Sequence, residues 1–69
     1  MENIQNRFSS CDSDDDVIHI IEENGYDPRI CEVGISFLKS ENNIMFIMKN
    51  TGYIPSIADK GIKLLQSME

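Results

Sequence analysis

The chain has 69 residues, 41% of them apolar and 26% charged, and its 12 acids against 6 bases give a net charge of −6. That is room for one small domain with one modest core, in a composition typical of globular chains. No apolar run approaches the roughly 20 residues that a membrane span needs, and six scattered bases form no phosphate-binding stripe, so direct nucleic-acid binding is not expected.

The acidity is uneven: −4 over residues 1–16, −3 over 17–42 and +1 over 43–69. Such a surface favours association with basic protein surfaces. The opening MENIQNRF lacks the basic and apolar regions of a signal peptide, so an intracellular, cytoplasmic location is expected, with the nucleus left open. Cys11 and Cys31 are too few for a disulfide framework or a metal site and read as a tail thiol and a buried thiol.

Residues 1–12 show no sustained periodicity and are expected as a flexible N-terminal arm from which Ile4 and Phe8 can dock on the core. Residues 13–69 then form a single small helical domain. A first helix is predicted over 14–24. Ser13 and Asp16 have capping-box spacing, and Asp14, Asp15 and Asp16 lie where the helix dipole favours carboxylates. Val17, Ile20, Ile21 and Asn24 share one face. Gly25 is a natural left-handed stop, and Asp27 and Pro28 suit the N-cap and first turn of a second helix over 28–39. The grammar recurs with a third helix over 43–51, the corner Gly52-Tyr53-Ile54-Pro55 and a fourth helix over 55–67. Ser56 with Asp59 offers an alternative start one residue later.

Taken alone, residues 31–39 are ambiguous. Cys31, Val33, Ile35 and Phe37 alternate with less apolar neighbours, and Ser40–Asn43 could turn a β-hairpin into Ile44–Met48. An internal repeat decides against that α+β alternative. Residues 17–40 and 44–67 align without a gap at an offset of 27, with nine of 24 positions identical where chance gives about two. The second copy puts Ile57, Gly61, Leu64 and Leu65 on one helical face, so Ile30, Gly34, Phe37 and Leu38 form the matching stripe. A glycine inside a helix costs about 1 kcal/mol relative to alanine, and its recurrence at Gly34 and Gly61 points to close helix approach. The expected fold is all-α: four short helices in two tandem αα-hairpins. Tyr26 and Tyr53 occupy equivalent corners, their rings packed across the hairpins and their hydroxyls in water.

Candidate sites are few. His19, the only histidine, pairs in the repeat with Phe46 and reads as a partly buried ring rather than a catalytic group. Asp12, Asp14, Asp16 and Glu23 fall at calcium-loop positions, but Val17 stands where the loop needs glycine, so no metal site is assigned. Ser9 and Ser13 lie in an acidic context suited to phosphorylation. Ile44, Met45, Phe46, Ile47 and Met48 form an apolar block wider than one helical face, which must be sandwiched or present a partner-binding patch.

The run Phe37-Leu38-Lys39-Ser40-Glu41-Asn42-Asn43, then Ile47, Gly52-Tyr53-Ile54-Pro55 and Leu64-Leu65, resembles an armadillo or HEAT-type helical repeat over about residues 37–67. The period of 27 is shorter than the roughly 40 of those repeats, and two units are fewer than a solenoid needs. The resemblance implies stacked helix pairs that bind proteins or peptides, and no binding residue is carried over.

The functional expectation is a small acidic protein–protein interaction module, not an enzyme, with no cofactor. Met45, Phe46 and Met48 would bury an apolar helical surface against a partner. Asp14, Asp15, Asp16, Glu22 and Glu23 would steer it towards a basic surface. A homodimer is a natural variant, because two repeats leave unfinished end faces. The alternative is an acidic inhibitor or nucleic-acid mimic, of the kind a virus uses to block a nucleic-acid-binding enzyme, in which the carboxylates themselves act.

Overall fold

The computed structural model describes residues 3–68 and contains no strand among them. Five α-helices follow in order: α1 (Ile4–Ser9), α2 (Asp14–Glu23), α3 (Pro28–Gly34), α4 (Glu41–Asn50) and α5 (Pro55–Met68), with a 3-10 turn at Ile35–Phe37 extending α3. The chain is all-α. The hairpin alternative fails because Cys31 and Ile35, one helical turn apart, are fully buried, while the intervening Val33 is only partly so. Helical spacing, not alternation, sorts that segment.

Local chemistry accounts for the boundaries. The Ser13 side chain accepts from the Asp16 amide, and three aspartates fill the first turn of α2. Asp27 caps α3 by accepting from the Arg29 amide at 2.9 Å, with Pro28 in the first turn. The start of α5 is Pro55, so the later Ser56 start is not used.

Both corners are built alike. Gly25 and Tyr26 have φ of 64° and 56°, and Gly52 and Tyr53 have 70° and 56°. The Tyr26 amide donates to the Ile21 carbonyl at 3.1 Å, and the Tyr53 amide, 27 residues on, donates to Met48 at 3.0 Å. The next helices open equivalently too: Cys31 donates to Asp27 and Ala58 to Ile54. A left-handed tyrosine costs about 1–2 kcal/mol, and at both corners it comes with the same local hydrogen bond back to the preceding helix. The tyrosines themselves differ. Tyr26 packs against the core, whereas Tyr53 is 59% exposed, which corrects the expectation of two equally packed rings.

The two second helices also differ in length. Where α5 runs on through Leu65 to Met68, α3 tightens to 3-10 at Ile35 and leaves the helix at Leu38, whose ψ is 143°. The cause lies 25 residues upstream. The Asp14 carboxylate accepts from the backbone amides of Lys39 (3.0 and 3.1 Å) and Ser40 (2.8 Å) and from the Asn43 side chain (3.0 Å). Ser40, the N-cap residue of α4, makes no side-chain cap of its own. Asp14 therefore caps α4 from α2.

The segment 1–12, expected as a flexible arm, instead contains α1. Asn3 caps it by accepting from the Gln5 amide, and Phe8 is fully buried. A phenylalanine ring removes enough apolar surface from water to hold a six-residue helix that could not persist alone. The ring lies over Gly34: a β-carbon there would come within 2.8 Å of Phe8 Cζ and 3.0 Å of Ile21 Cδ1. It also stacks on Phe37 at 5.8 Å between centroids. Gly61 repeats the arrangement, since its β-carbon would collide with the Met48 side chain, and Met48 stands 27 residues from Ile21. These approaches explain why a glycine stands at both positions, at the end of α3 and inside α5.

Packing follows the chain. α1 lies against α2 and α3, α2 against α3, α3 and its 3-10 extension against α5, and α4 against α5. The core runs through all of them: Phe8, Val17, Ile20, Ile21, Cys31, Ile35, Leu38, Ile44, Ile47, Met48 and Ile57. Its Cα radius of gyration, 11.0 Å, matches the value of about 11 Å expected for a compact domain of this length. Among the described residues no helix is long and apolar enough to cross a membrane.

Candidate interaction surface

The apolar block of α4 is divided by the helix. Ile44 and Ile47 are fully buried and Met48 is 7% exposed, its side chain lying over Gly61. Met48 was expected to meet a partner; it is instead a core residue, because it lies one turn from Ile44 on the face that packs on α5. Met45 and Phe46 project from the flank and outer side of the helix, at 50% and 42% exposure. With Tyr53, Ile62 and Met68 they make up the large hydrophobic side chains that are exposed among the described residues. All five fall between residues 45 and 68, so the two halves of the repeat present different chemistry to solvent.

The five acids proposed for steering also part company. Asp14 is partly buried and committed to capping α4, so it is corrected from a partner-facing group to a structural one. Partial burial alone would raise its pKa. The hydrogen bonds from Asn43, Ser40 and Lys39, with the Lys39 charge, outweigh that and hold it below the ordinary aspartate value. Asp15, Asp16 and Glu22 are exposed on α2. Asp16 accepts from the Asp12 amide at 3.3 Å, which steadies the entry to the helix. Glu23 bridges Arg7 of α1 at 3.3 Å and His19 at 2.9 Å. His19 is 71% exposed, so the expectation of a partly buried ring does not hold. Its repeat partner Phe46 is exposed too, and the position faces outward in both units.

The calcium-loop carboxylates have separate engagements, Asp14 at the start of α4 and Glu23 with Arg7 and His19. Among the described residues no three His, Cys, Asp or Glu side chains come together as a metal site. A cleft of about 190 Å³ lies between Phe8, Cys11, Asp14, Val17, Phe37 and Lys39, below the roughly 300 Å³ at which small-molecule pockets begin. Both thiols have their pKa raised above the ordinary cysteine value. Burial pushes the Cys31 pKa up, with Asp27 adding to it. Burial and then the Asp16 and Asp12 charges raise that of Cys11, against a smaller lowering by Arg7. Of the two phosphorylation candidates, Ser13 Oγ accepts from the Asp16 amide in the cap of α2 and Ser9 Oγ donates to the Gln5 carbonyl.

Two residues escaped the sequence reading: Asp14 as a remote cap and Ile62 as an exposed apolar side chain. Phe8, which the reading allowed to dock on the core, is a fully buried anchor, and the sequence holds a further signal for α1. Continued upstream, the 27-residue register pairs Ile4 with Cys31, Phe8 with Ile35, Cys11 with Leu38 and Ser13 with Ser40. In sequence register α1 thus falls where the second helix of a preceding unit would fall.

Comparison with protein-family models, with curated proteins and with solved structures finds no match.

Proposed function

We propose that the protein is a small, non-enzymatic protein–protein interaction module that binds a partner protein through an apolar helical surface in its second half. One observation supports this above the others: exposed large hydrophobic side chains, among the described residues, are confined to positions 45–68. Clustered exposed apolar side chains mark interaction surfaces more often than chance placement does, and methionine adapts readily to a partner's shape. The acidic first half, with Asp15, Asp16 and Glu22 exposed, favours a partner that carries basic groups beside its apolar contact. The likeness to armadillo and HEAT repeats fits stacked helix pairs presenting a protein-binding face.

Copurification from the native cell with two variants tests the reading. Met45→Ser with Phe46→Ser is expected to lose the partner while keeping the helical circular-dichroism signal. Replacing Asp15, Asp16, Glu22 and Glu23 by their amides is expected to weaken capture several-fold without abolishing it. The opposite pattern, with the partner lost only when the carboxylates are neutralised, would overturn this in favour of the acidic inhibitor or nucleic-acid mimic.

A further inference from the structure

α4 carries two charges, Glu41 in its first turn and Lys49 in its last, with Met45 midway between them in sequence. Positions 41, 45 and 49 follow one i, i+4 ridge that turns by only about 40° per step. Acid, apolar group and base therefore succeed one another along one side of the helix, and Phe46 widens the apolar part. All four side chains are exposed, Met45 by 50% and Phe46 by 42%. Among the described residues neither Glu41 nor Lys49 forms an ion pair. The same positions of α2, one repeat earlier, hold Asp14, Ile18 and Glu22. Both charges there are negative, so the change of sign along the ridge is particular to α4.

We propose that α4 pairs antiparallel with α4 of a second copy of the chain, about a two-fold axis passing beside Met45. The pairing names a partner for the apolar surface described above and rests on that reading.

Charge complementarity is what selects a second copy. A two-fold rotation at Met45 exchanges positions 41 and 49, so Glu41 of each copy comes opposite Lys49 of the other. Between these two pairs, Met45 and Phe46 of both copies close on each other. The order acid, apolar, base is complementary to its own reverse, which is what an isologous contact requires. Asn42 and Asn50, the other exposed residues of α4, are uncharged, so no like charges on the two helices face one another. The wider charge distribution agrees. Residues 1–42 carry ten acids against three bases, whereas residues 43–69 carry two acids against three bases. Two acidic molecules approach with least repulsion through their second halves.

The contact is small. A helix of ten residues is about 15 Å long, which puts the pairing among weak, transient associations. Sedimentation equilibrium of the full chain, up to about 1 mM, is expected to show a monomer–dimer equilibrium. Glu41→Lys alone, or Lys49→Glu alone, sets like charges at both ends of the contact and is expected to weaken association at least about fivefold. An equimolar mixture of the two variants restores opposite charges at both ends and is expected to associate as strongly as the wild-type chain. Circular dichroism, expected to be unchanged in each single variant, separates loss of association from loss of fold. A chain monomeric throughout, or a mixture that associates no better than its components, would overturn the pairing. Capture of a different protein through Met45 and Phe46 would then show that the interaction module itself still stands.

Discussion

Phe8→Ala is expected to destabilise the domain by about 3–4 kcal/mol, the cost of emptying a fully buried aromatic site that cannot collapse. A domain of this size has only about 3–10 kcal/mol in total, so the variant should be largely unfolded at 37 °C. The ring is 0% exposed, lies over Gly34 and Ile21 and stacks on Phe37. Its removal uncovers α2 and α3 together. Phe8→Leu, which refills most of the volume, should cost about 1 kcal/mol. Urea denaturation followed by circular dichroism measures both. A loss below 1 kcal/mol for the alanine variant would show that α1 is dispensable and that the domain begins at Ser13.

Asp14→Asn is expected to cost about 2 kcal/mol near neutral pH. The figure sits at the low end for charge-assisted hydrogen bonds because the carboxylate is only partly buried. Three donors rely on it: the Lys39 and Ser40 amides and the Asn43 side chain. The amide variant keeps one acceptor but loses the charge and sets its own N–H groups against those donors. The pH dependence has a definite sign. The folded-state pKa of Asp14 lies below its unfolded value, which is about 3.9. Its contribution is therefore complete above that unfolded value and is lost as pH falls through the folded one. The wild-type protein should show a falling acid limb below about pH 4 that the variant lacks in part, so their stabilities converge at low pH. Equal urea midpoints at pH 7, or a gap that persists unchanged under acid, would remove Asp14 from its capping role.

The parts of the fold that were legible from sequence are those written locally. Gly25 and Gly52 with Pro28 and Pro55 announce both corners, and Ser13 and Asp27 announce two helix starts. The 27-residue register turned Cys31–Phe37 from an apparent strand into a helix, because the second copy, with Ala58, Lys60 and Leu64, has no strand character. What stayed hidden depends on distance in the chain. Asp14 looks like one more acid in a favourable first turn, and nothing near it tells of Lys39 and Ser40. Phe8 could be read as able to dock, but the six-residue helix that carries it, among polar neighbours, is too short for any periodicity to emerge. Met45 and Met48 look interchangeable as letters and lie only about 60° apart around the helix, but Met48 falls inside the face that packs on Gly61 and Met45 at its margin, where it meets solvent. The left-handed tyrosines had no sequence signal, since tyrosine is not a residue that prefers that conformation.

The surface is less legible still: Ile62 shares the 27-residue register of Phe8 and Ile35, which are fully buried, yet it is 46% exposed.

A solution NMR spectrum of the full chain tests the shared register most directly. Close contacts should link the Phe8 ring protons to the Gly34 α-protons and to the Ile21 δ-methyl, with the Gly34 resonances displaced by the ring current. A Phe8 ring at random-coil shifts with no contact to Gly34 would mean that α1 does not occupy the first place in the row, and the stacked account would be wrong.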